Sequence, residues 1–274
     1  MASEARFAVC NEMFEGWEFD AVCRFVAEAG YEALEVAPFT LAPDASTVNA
    51  AERRQLRRQA ESAGVEIAGL HWLLVSPKGL YINHPDANVR RRTVAYLRAL
   101  AELCADLGGK VMVFGSPAQR KVYQGLGYQQ AWDLALDAVR SVAPTLEQTG
   151  VTLCMEPLPQ PETDFLNTAA ETARFVGEVG HPNVRMIADV KSMCAEGDPA
   201  AIIRAYGPMI AHVHANDANR RGPGFGDVDF APIARALTDV GYRGYVSVEV
   251  FDYSPDPQTI ARESLAYLRR AFGG

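Results

Sequence analysis

The chain has 274 residues, and 49% of them are hydrophobic, which is enough to bury one large core. Its formal net charge of −8 argues against nucleic acid as a partner, because an acidic surface repels phosphate backbones. The sequence has no apolar run near the roughly 18 residues of a membrane span. It also shows no basic segment followed by an apolar one at its start, so we predict a cytoplasmic protein with no membrane partner.

Five cysteines are scattered along the chain, at Cys10, Cys23, Cys104, Cys154 and Cys194. Their number is odd and no CxxC pair occurs, so the sequence predicts neither a disulfide framework nor a structural zinc site. This cysteine usage is typical of a protein that works in a reducing compartment.

Eight short β-rich runs alternate with longer helical patterns from one end of the chain to the other. The predicted strands are Arg6–Cys10, Ala33–Ala37, Val65–His71, Lys110–Phe114, Thr152–Glu156, Arg185–Asp189, Ile210–His214 and Tyr245–Glu249. Most are continuous apolar runs, as expected of parallel strands that are covered on both faces. The pattern therefore favours repeated strand–helix units.

The segments between the strands carry helical signals. In Val89–Leu107 the apolar residues recur at spacings of three and four, and Gly108 supplies a stop. Thr168 and Glu171 have the spacing of a capping box at a helix start, and Gly180 is placed to end that helix. Each such helix would return the chain to the start of the next parallel strand.

Eight strand–helix pairs of roughly 30 residues each predict an α/β protein with a closed (β/α)8 barrel, the TIM barrel, as one domain over residues 1–274. The alternative is an open doubly wound sheet, but no GxGxxG motif follows the first strand. Two long connections, residues 72–86 and 115–128, leave the carboxyl ends of strands three and four. Active sites of barrels lie at these ends, and long loops there are often lids.

Four polar residues end four successive apolar strands: Glu156, Asp189, His214 and Glu249. Each alone could be a helix N-cap, a salt-bridge partner or a core histidine. In a closed barrel, however, strands five to eight are neighbours, so the four side chains would converge at the mouth. Three converging carboxylates would repel one another without a cation. We therefore predict one divalent metal ion, Mn²⁺ by preference, with Mg²⁺ or Co²⁺ as alternatives and Zn²⁺ not excluded.

The sequence around these residues resembles the xylose isomerase-like TIM barrels, especially their ketose 3-epimerase and hydroxypyruvate isomerase branch. The resemblance covers essentially the whole chain and is densest from strand five onward. It is carried by the stretches MEPLPQPETDFLNT, IADVKSM, HVHANDANRRGPGFGDVDF and VSVEVF. These motifs are specific for the superfamily and less so for any one substrate.

The resemblance implies roles for individual residues. Glu156 and Glu249 match residues that are both metal ligands and acid/base groups, and Asp189 and His214 match the remaining ligands. Glu162 and Arg220 match residues that contact substrate oxygens, and Phe251 matches one that stacks over the sugar. Relatives are often dimers or tetramers, so we expect a homo-oligomer.

One position departs from the family pattern. The tagatose and psicose epimerases carry a substrate-binding histidine three residues after the strand-six aspartate, where this chain has Ser192. A hydroxyl cannot replace imidazole as a proton carrier near neutral pH, so the substrate can differ from free ketohexoses. The neighbouring Lys191 is expected to be an exposed surface lysine, and the alternative is a lysine that binds a carboxylate or phosphate.

Further residues fall at the predicted mouth. His71 ends strand three and is predicted to bind substrate, although a core histidine or a loop anchor is an equal alternative. Trp72 is expected either as an apolar wall of the pocket or as packing. Asn11 and Glu12 are weaker candidates for the pocket. His84 and His181 are expected in loops, and Asn216 and Asp217 are expected to orient the loop after strand seven.

We therefore expect an isomerase or epimerase that acts on a small sugar or sugar acid with an α-hydroxy-carbonyl group, by proton abstraction through a metal-bound enediolate. A lyase or dehydratase would begin with the same proton abstraction. An accessory protein with a vestigial site is less consistent with four intact ligands. An apurinic endonuclease would need histidines after strands four and six, where this chain has Gly115, Ser116 and Ser192.

Overall fold

The computed structural model describes residues 5–160 and 162–273. Eight parallel strands close into a barrel in chain order, so that β8 pairs with β1. The strands are β1 Arg6–Cys10, β2 Ala33–Val36, β3 Glu66–Leu70, β4 Val111–Phe114, β5 Thr152–Met155, β6 Val184–Asp189, β7 Ile210–Ala215 and β8 Tyr245–Val248. The predicted fold class is confirmed, and the open doubly wound alternative is wrong, because the sheet has no edges.

Helices follow the strands and cover the outside of the barrel. Within the described residues they are α1 Phe19–Ala29, α2 Ala50–Ala63, α3 Ala87–Leu107, α4 Tyr128–Thr149, α5 Ala169–Val179, α6 Val190–Glu196, α7 Pro199–Tyr206, α8 Phe230–Asp239 and α9 Pro257–Gly273. The main hydrophobic core lies between this helical layer and the outer face of the sheet. This is the two-layer arrangement that buries the apolar stripe of each helix.

The predicted strands match the observed ones to within one residue at each end. Helix α3 begins at Ala87, two residues before the predicted start, because the Asp86 side chain accepts a hydrogen bond from the Asn88 N–H and caps the helix. Gly108 ends it in the left-handed region, with φ of 95°. This backbone conformation is strained for residues that carry a Cβ, which explains why a glycine stops the helix here.

The capping box predicted at α5 is only half formed. The Thr168 side chain accepts a hydrogen bond from the Glu171 N–H, as expected of an N-cap. The Glu171 carboxylate instead accepts from the N–H of Asn167, one residue before the cap, at 2.7 Å. Gly180 ends the helix in the left-handed region, as predicted.

Alternate strand residues point into the barrel. Small and aliphatic side chains fill part of its lumen, in one cluster of Ala8, Ala33 and Ala68 and another of Val111, Val113, Cys154 and Ile187. Because the side-chain period of a strand is two, Glu156 follows Cys154 on the lumen side, and Asp189 follows Ile187. The strand geometry thus directs both carboxylates to the carboxyl mouth of the barrel.

The two long connections contact one another above β3 and β4. The Leu74 N–H donates to the Ser116 hydroxyl at 3.1 Å, and the Ile82 N–H donates to the Gln119 carbonyl at 3.0 Å. They form one wall of the mouth, and the prediction that they act as lids stays a prediction. In the described part of the chain, no helix is both long enough and apolar enough to span a bilayer.

Candidate active site

The four predicted metal ligands meet at one place. Glu156, Asp189, His214 and Glu249 each offer a ligand atom, and these atoms all lie within 4.8 Å of one another. All four residues are buried, with at most 5% of their surface exposed. The convergence expected from their positions at the ends of β5 to β8 is therefore present, and their role as ligands remains a proposal.

Neighbouring polar groups fix the orientation of Asp189. One of its carboxylate oxygens accepts from the Ser192 N–H at 2.7 Å and caps α6. The other accepts from the Asn216 side-chain amide at 2.6 Å. The Asn216 amide oxygen in turn accepts from the Lys191 N–H at 2.8 Å. Asp189 is therefore an N-cap as well as a member of the cluster.

The site is strained electrostatically without a cation. Burial, together with the nearby charges of Asp189 and Glu249, raises the pKa of Glu156 to about 8. The backbone leaves room for this carboxylate, since a Cβ on Gly115 would lie only 2.2 Å from Glu156 Oε2. Three carboxylates and an imidazole around a close-fitting space suit a divalent ion that prefers oxygen ligands.

The His214 ring is oriented by a buried glutamate that the sequence analysis missed. Its Nε2 lies 3.0 Å from Glu35 Oε1, and the ring of His212 lies 2.7 Å from Glu35 Oε2. Burial alone would raise the pKa of Glu35, but the two histidines hold it well below its usual range. An ionised carboxylate only accepts hydrogen bonds, so Nε2 of His214 carries a proton.

The other ring nitrogen of His214 therefore faces the cluster. Its Nδ1 lies 3.1 Å from Glu249 Oε2, but the two are not aligned as a hydrogen bond, and Nδ1 has no partner among the described residues. Burial alone would lower the pKa of His214, yet Glu249 and Glu35 raise it well above its usual value. A buried nitrogen without a partner, pointed at three carboxylates, fits a ligand for a cation.

Glu35 and His212 had weak signals in the sequence. Glu35 is the single charge in the run ALEVA, and His212 precedes His214 by two residues in HVH. The strand period of two places both histidines on the lumen side. A charge inside a buried strand was the observation that could have identified Glu35.

His71 also lies at the mouth, as predicted. It is 1% exposed, and its Nε2 contacts Glu12 Oε2 at 2.6 Å. Its Nδ1 lies 3.8 Å from Glu35 Oε1. Although burial lowers the pKa of His71, the surrounding Cys10 and Glu12 raise it well above its usual value. His71 and Glu12 thus extend the buried polar network toward β1.

Lys191 contradicts the expectation of an exposed surface lysine. It is 7% exposed, and its Nζ lies 2.6 Å from Glu162 Oε1. Burial alone would lower its pKa, but Asp189 and Glu162 raise it. The expectation was wrong because the short helix α6 begins immediately after Asp189 and turns this side chain toward the mouth. Ser192 is buried, and its backbone N–H donates to the Asp189 carboxylate, which caps α6.

Three of the four predicted substrate-binding residues, His71, Glu162 and Phe251, line one small cavity. It is lined by His71, Trp72, Glu156, Glu162, Glu249 and Phe251. The ring of Trp72 meets that of Phe251 edge-on at 6.2 Å. The Arg220 guanidinium lies 5.1 Å from the centre of the Phe251 ring, and its backbone adopts φ of 71° in the left-handed region. Arg220 is exposed at the rim and is not among the lining residues of this cavity.

Arg120 was not predicted, and it supports the position of Glu156. It is fully buried, and its guanidinium donates to the carbonyl of Glu156 at 2.5 Å. Burial lowers its pKa to about 10. It also lies within hydrogen-bond distance of the Phe114 carbonyl. The guanidinium therefore ties the ends of β4 and β5 together.

The remaining candidates lie outside the cluster. His84 is in the connection before α3 and meets the ring of Tyr123 edge-on, with ring centres 4.1 Å apart. His181 precedes β6, and its Nδ1 accepts from the Asn183 N–H. Asp217 accepts from the Val228 N–H and so does orient the loop after β7. Within the described ranges, all five cysteines are free thiols.

The closed barrel and the four-residue cluster at its carboxyl mouth define a (β/α)8-barrel protein with a candidate divalent-metal centre. The model of the xylose isomerase-like TIM barrel family matches residues 23–271. The chain belongs to this family, as the sequence motifs predicted.

Several proteins similar to this chain are named as sugar epimerases. The D-psicose 3-epimerase of Ruminiclostridium cellulolyticum is 31% identical over 82% of this chain and 76% of its own length. The 3-dehydro-D-guloside 4-epimerase of Escherichia coli is 32% identical over 48% of this chain and 51% of its own. A crystal structure of a D-psicose 3-epimerase in the presence of D-fructose is 25% identical, with a TM-score of 0.86 over 98% of this chain and 100% of the other.

Proposed function

We propose that the protein is a divalent-metal-dependent isomerase or epimerase of a small sugar with an α-hydroxy-carbonyl group. The observation that carries this proposal is the buried convergence of Glu156, Asp189, His214 and Glu249. Its relatives support the substrate class, since one is named for a free ketose and another for a glycoside that carries a ketone.

Glu156, Asp189, His214 and Glu249 would hold the cation, through three carboxylates and Nδ1 of the histidine. When bound, a divalent ion stabilises the negative charge that develops on neighbouring oxygens of the substrate. Mn²⁺ is our preferred ion, and the donor set also suits Mg²⁺ or Co²⁺.

The proton transfers are assigned to Glu156 and Glu249. They end β5 and β8, with β6 and β7 between them, so they reach the centre from different sides. One carboxylate oxygen would take the proton from the carbon beside the carbonyl. The acid form of the other would return a proton to the opposite face, which gives epimerisation, or to the neighbouring carbon, which gives isomerisation.

Other residues would position the substrate and exclude water. Glu162, held by Lys191, would accept hydrogen bonds from substrate hydroxyls, and Arg220 would donate from the rim. Phe251 and Trp72 would form the apolar wall. His71, fixed by Glu12, would donate to a substrate oxygen.

The test is exchange of substrate protons with solvent deuterium, followed by NMR, in protein loaded with Mn²⁺. The panel contains D-psicose, D-fructose, 3-keto-glycosides and keto acids. Exchange at one carbon next to a carbonyl, lost on chelation and restored by Mn²⁺, is the expected result. A product that has lost water would instead identify a dehydratase. Absence of exchange across the panel in fully loaded protein would refute the proposed proton transfer.

A further inference from the structure

A second, larger cavity of about 620 Å³ opens beside the proposed active site. It lies between the segments that follow β1, β2, β3 and β8, all at the carboxyl mouth of the barrel. Six aromatic side chains line it, namely Phe14, Trp17, Phe19, Phe39, Trp72 and Tyr253. Its volume falls within the roughly 300–1,000 Å³ of typical small-molecule pockets.

The two cavities share a wall. Trp72 lines both of them, and Glu12 lines the second while its carboxylate contacts His71 in the first. The backbone of Trp72 adopts φ of 53°, a strained conformation for a residue with a Cβ. Trp72 therefore stands between the two cavities, and a ligand that occupied both would pass this residue.

Two polar atoms at this junction have no hydrogen-bond partner among the described residues. They are Nε1 of Trp72, a donor, and Oε1 of Glu12, an acceptor. The Glu12 side chain is only 7% exposed. Because buried polar groups are rarely left unpaired, an unpartnered donor and an unpartnered acceptor on two residues that line this cavity indicate a ligand that bears hydroxyl groups.

The residues that line the second cavity indicate which kind of ligand it would bind. Glu12, Glu15 and Glu18 contribute carboxylates, and no lysine or arginine is among the described residues that line the cavity. Such a lining disfavours phosphates and carboxylates. Trp17 and Phe39 are 38% and 37% exposed, and they are two of the three large apolar side chains exposed to this degree in the described chain. Exposed apolar surface beside an active site is typical of ligand binding.

We propose that this second cavity, the aglycone cavity, binds a neutral ring joined to the reacting sugar. The substrate is then a glycoside with a ketone on its sugar ring. Its anomeric carbon is locked by the glycosidic bond, so the carbonyl of the α-hydroxy-carbonyl unit must stand at another ring carbon. This assignment rests on the proposed function. The reaction needs no oxidant or reductant, because one proton leaves carbon, one proton is returned and the oxidation level of the molecule is unchanged.

The first test is binding of phenyl β-D-glucopyranoside against methyl β-D-glucopyranoside, by calorimetry and tryptophan fluorescence, in Mn²⁺-loaded protein. Binding would bury one aromatic ring away from water, so the phenyl glycoside should bind at least about tenfold more tightly. Trp17→Ala and Phe39→Ala should each reduce this preference and leave the affinity for the methyl glycoside unchanged. Tyr128→Ala, at an equally exposed aromatic residue outside the cavity, is the matched control.

The second test separates the aglycone cavity from the proposed chemistry. Deuterium exchange is measured with phenyl and methyl 3-keto-β-D-glucopyranosides, and a lower KM for the phenyl compound is expected. Exchange with equal KM values for the phenyl and methyl compounds would refute the proposed role of the aglycone cavity. It would not contradict the proposed function. Phenyl preference without exchange would support the cavity and refute the function. If Trp17→Ala and Phe39→Ala shift the oligomeric state in light scattering but not ligand affinity, the cavity is a subunit contact and the proposal is wrong.

Discussion

The two ends of the barrel use similar charged residues in opposite ways. At the amino end, Arg6 and Glu66 form an ion pair at 2.8 Å, with 44% and 67% of their side chains exposed. Toward the carboxyl end, Glu35 contacts His212 and His214, and at most 2% of each side chain is exposed. Water can satisfy either member of the exposed pair when the other member is absent. Each buried group instead depends on the other buried groups for its hydrogen bonds. The carboxyl end therefore keeps costly charges that stability alone does not explain.

The largest expected effect is at the proposed acid/base groups. Glu156→Gln and Glu249→Gln should each lower the rate of deuterium exchange by at least about 100-fold, because an amide cannot take or return the proton. The rate is measured by NMR at saturating Mn²⁺, with occupancy checked by electron paramagnetic resonance. Exchange at the parent rate in either fully loaded variant would rule out the two-carboxylate mechanism.

Substitution of Glu35 tests whether a buried charge outside the four-residue cluster affects metal binding by that cluster. Glu35→Gln should weaken Mn²⁺ binding about 10- to 100-fold, because Nε2 of His214 loses the carboxylate that fixes its protonation. Affinity is measured by calorimetry. Nitrogen-15 NMR of metal-free protein should show a changed His214 tautomer. Glu12→Gln is the control, since it removes a nearby buried charge that contacts His71 and not a proposed ligand. An equal loss in both variants would indicate general electrostatics instead.

A pH series tests the raised pKa of Glu156, which is about 8 in place of the usual 4.5. The proton must leave before a cation binds, so Mn²⁺ affinity should fall about tenfold per pH unit below about 8. In metal-free protein the folded chain keeps this proton between 4.5 and about 8 while the unfolded chain has lost it. The free energy of unfolding of the metal-free protein should therefore fall as the pH rises from 4.5 to about 8. Denaturant titrations check the sign, and Glu156→Gln should remove the dependence.

The smallest effect is expected at the amino end. Arg6→Ala should lower the free energy of unfolding by less than about 1 kcal/mol, because an exposed ion pair is screened by water. Mn²⁺ affinity should not change. Urea titration and calorimetry measure the two quantities. A loss of metal affinity in this variant would show that the two ends are coupled, and the contrast between them would fail.

Local signals were enough for the fold and for the proposed ligands. The strand runs and the helix stop at Gly108 can be recognised from residues that are close in sequence. The convergence of polar residues at strand ends then follows from the topology of the barrel alone. Lys191 and Glu35 could not be placed in this way. Whether Lys191 is exposed depends on the turn into α6, and the partners of Glu35 lie on the opposite side of the lumen, 177 residues away along the chain for His212. Such contacts exist only after the barrel has closed.

The absence of a Cβ at Gly115 allows a further experiment. A single methyl group there would collide with the far end of the Glu156 side chain, whose carboxyl group supplies the three nearest atoms outside the neighbouring residues. Gly115→Ala should thus yield a folded barrel in which one carboxylate is displaced from the cluster. In that protein, occupation of the aglycone cavity can be followed while the cation is absent, so that recognition and chemistry become separable in one molecule.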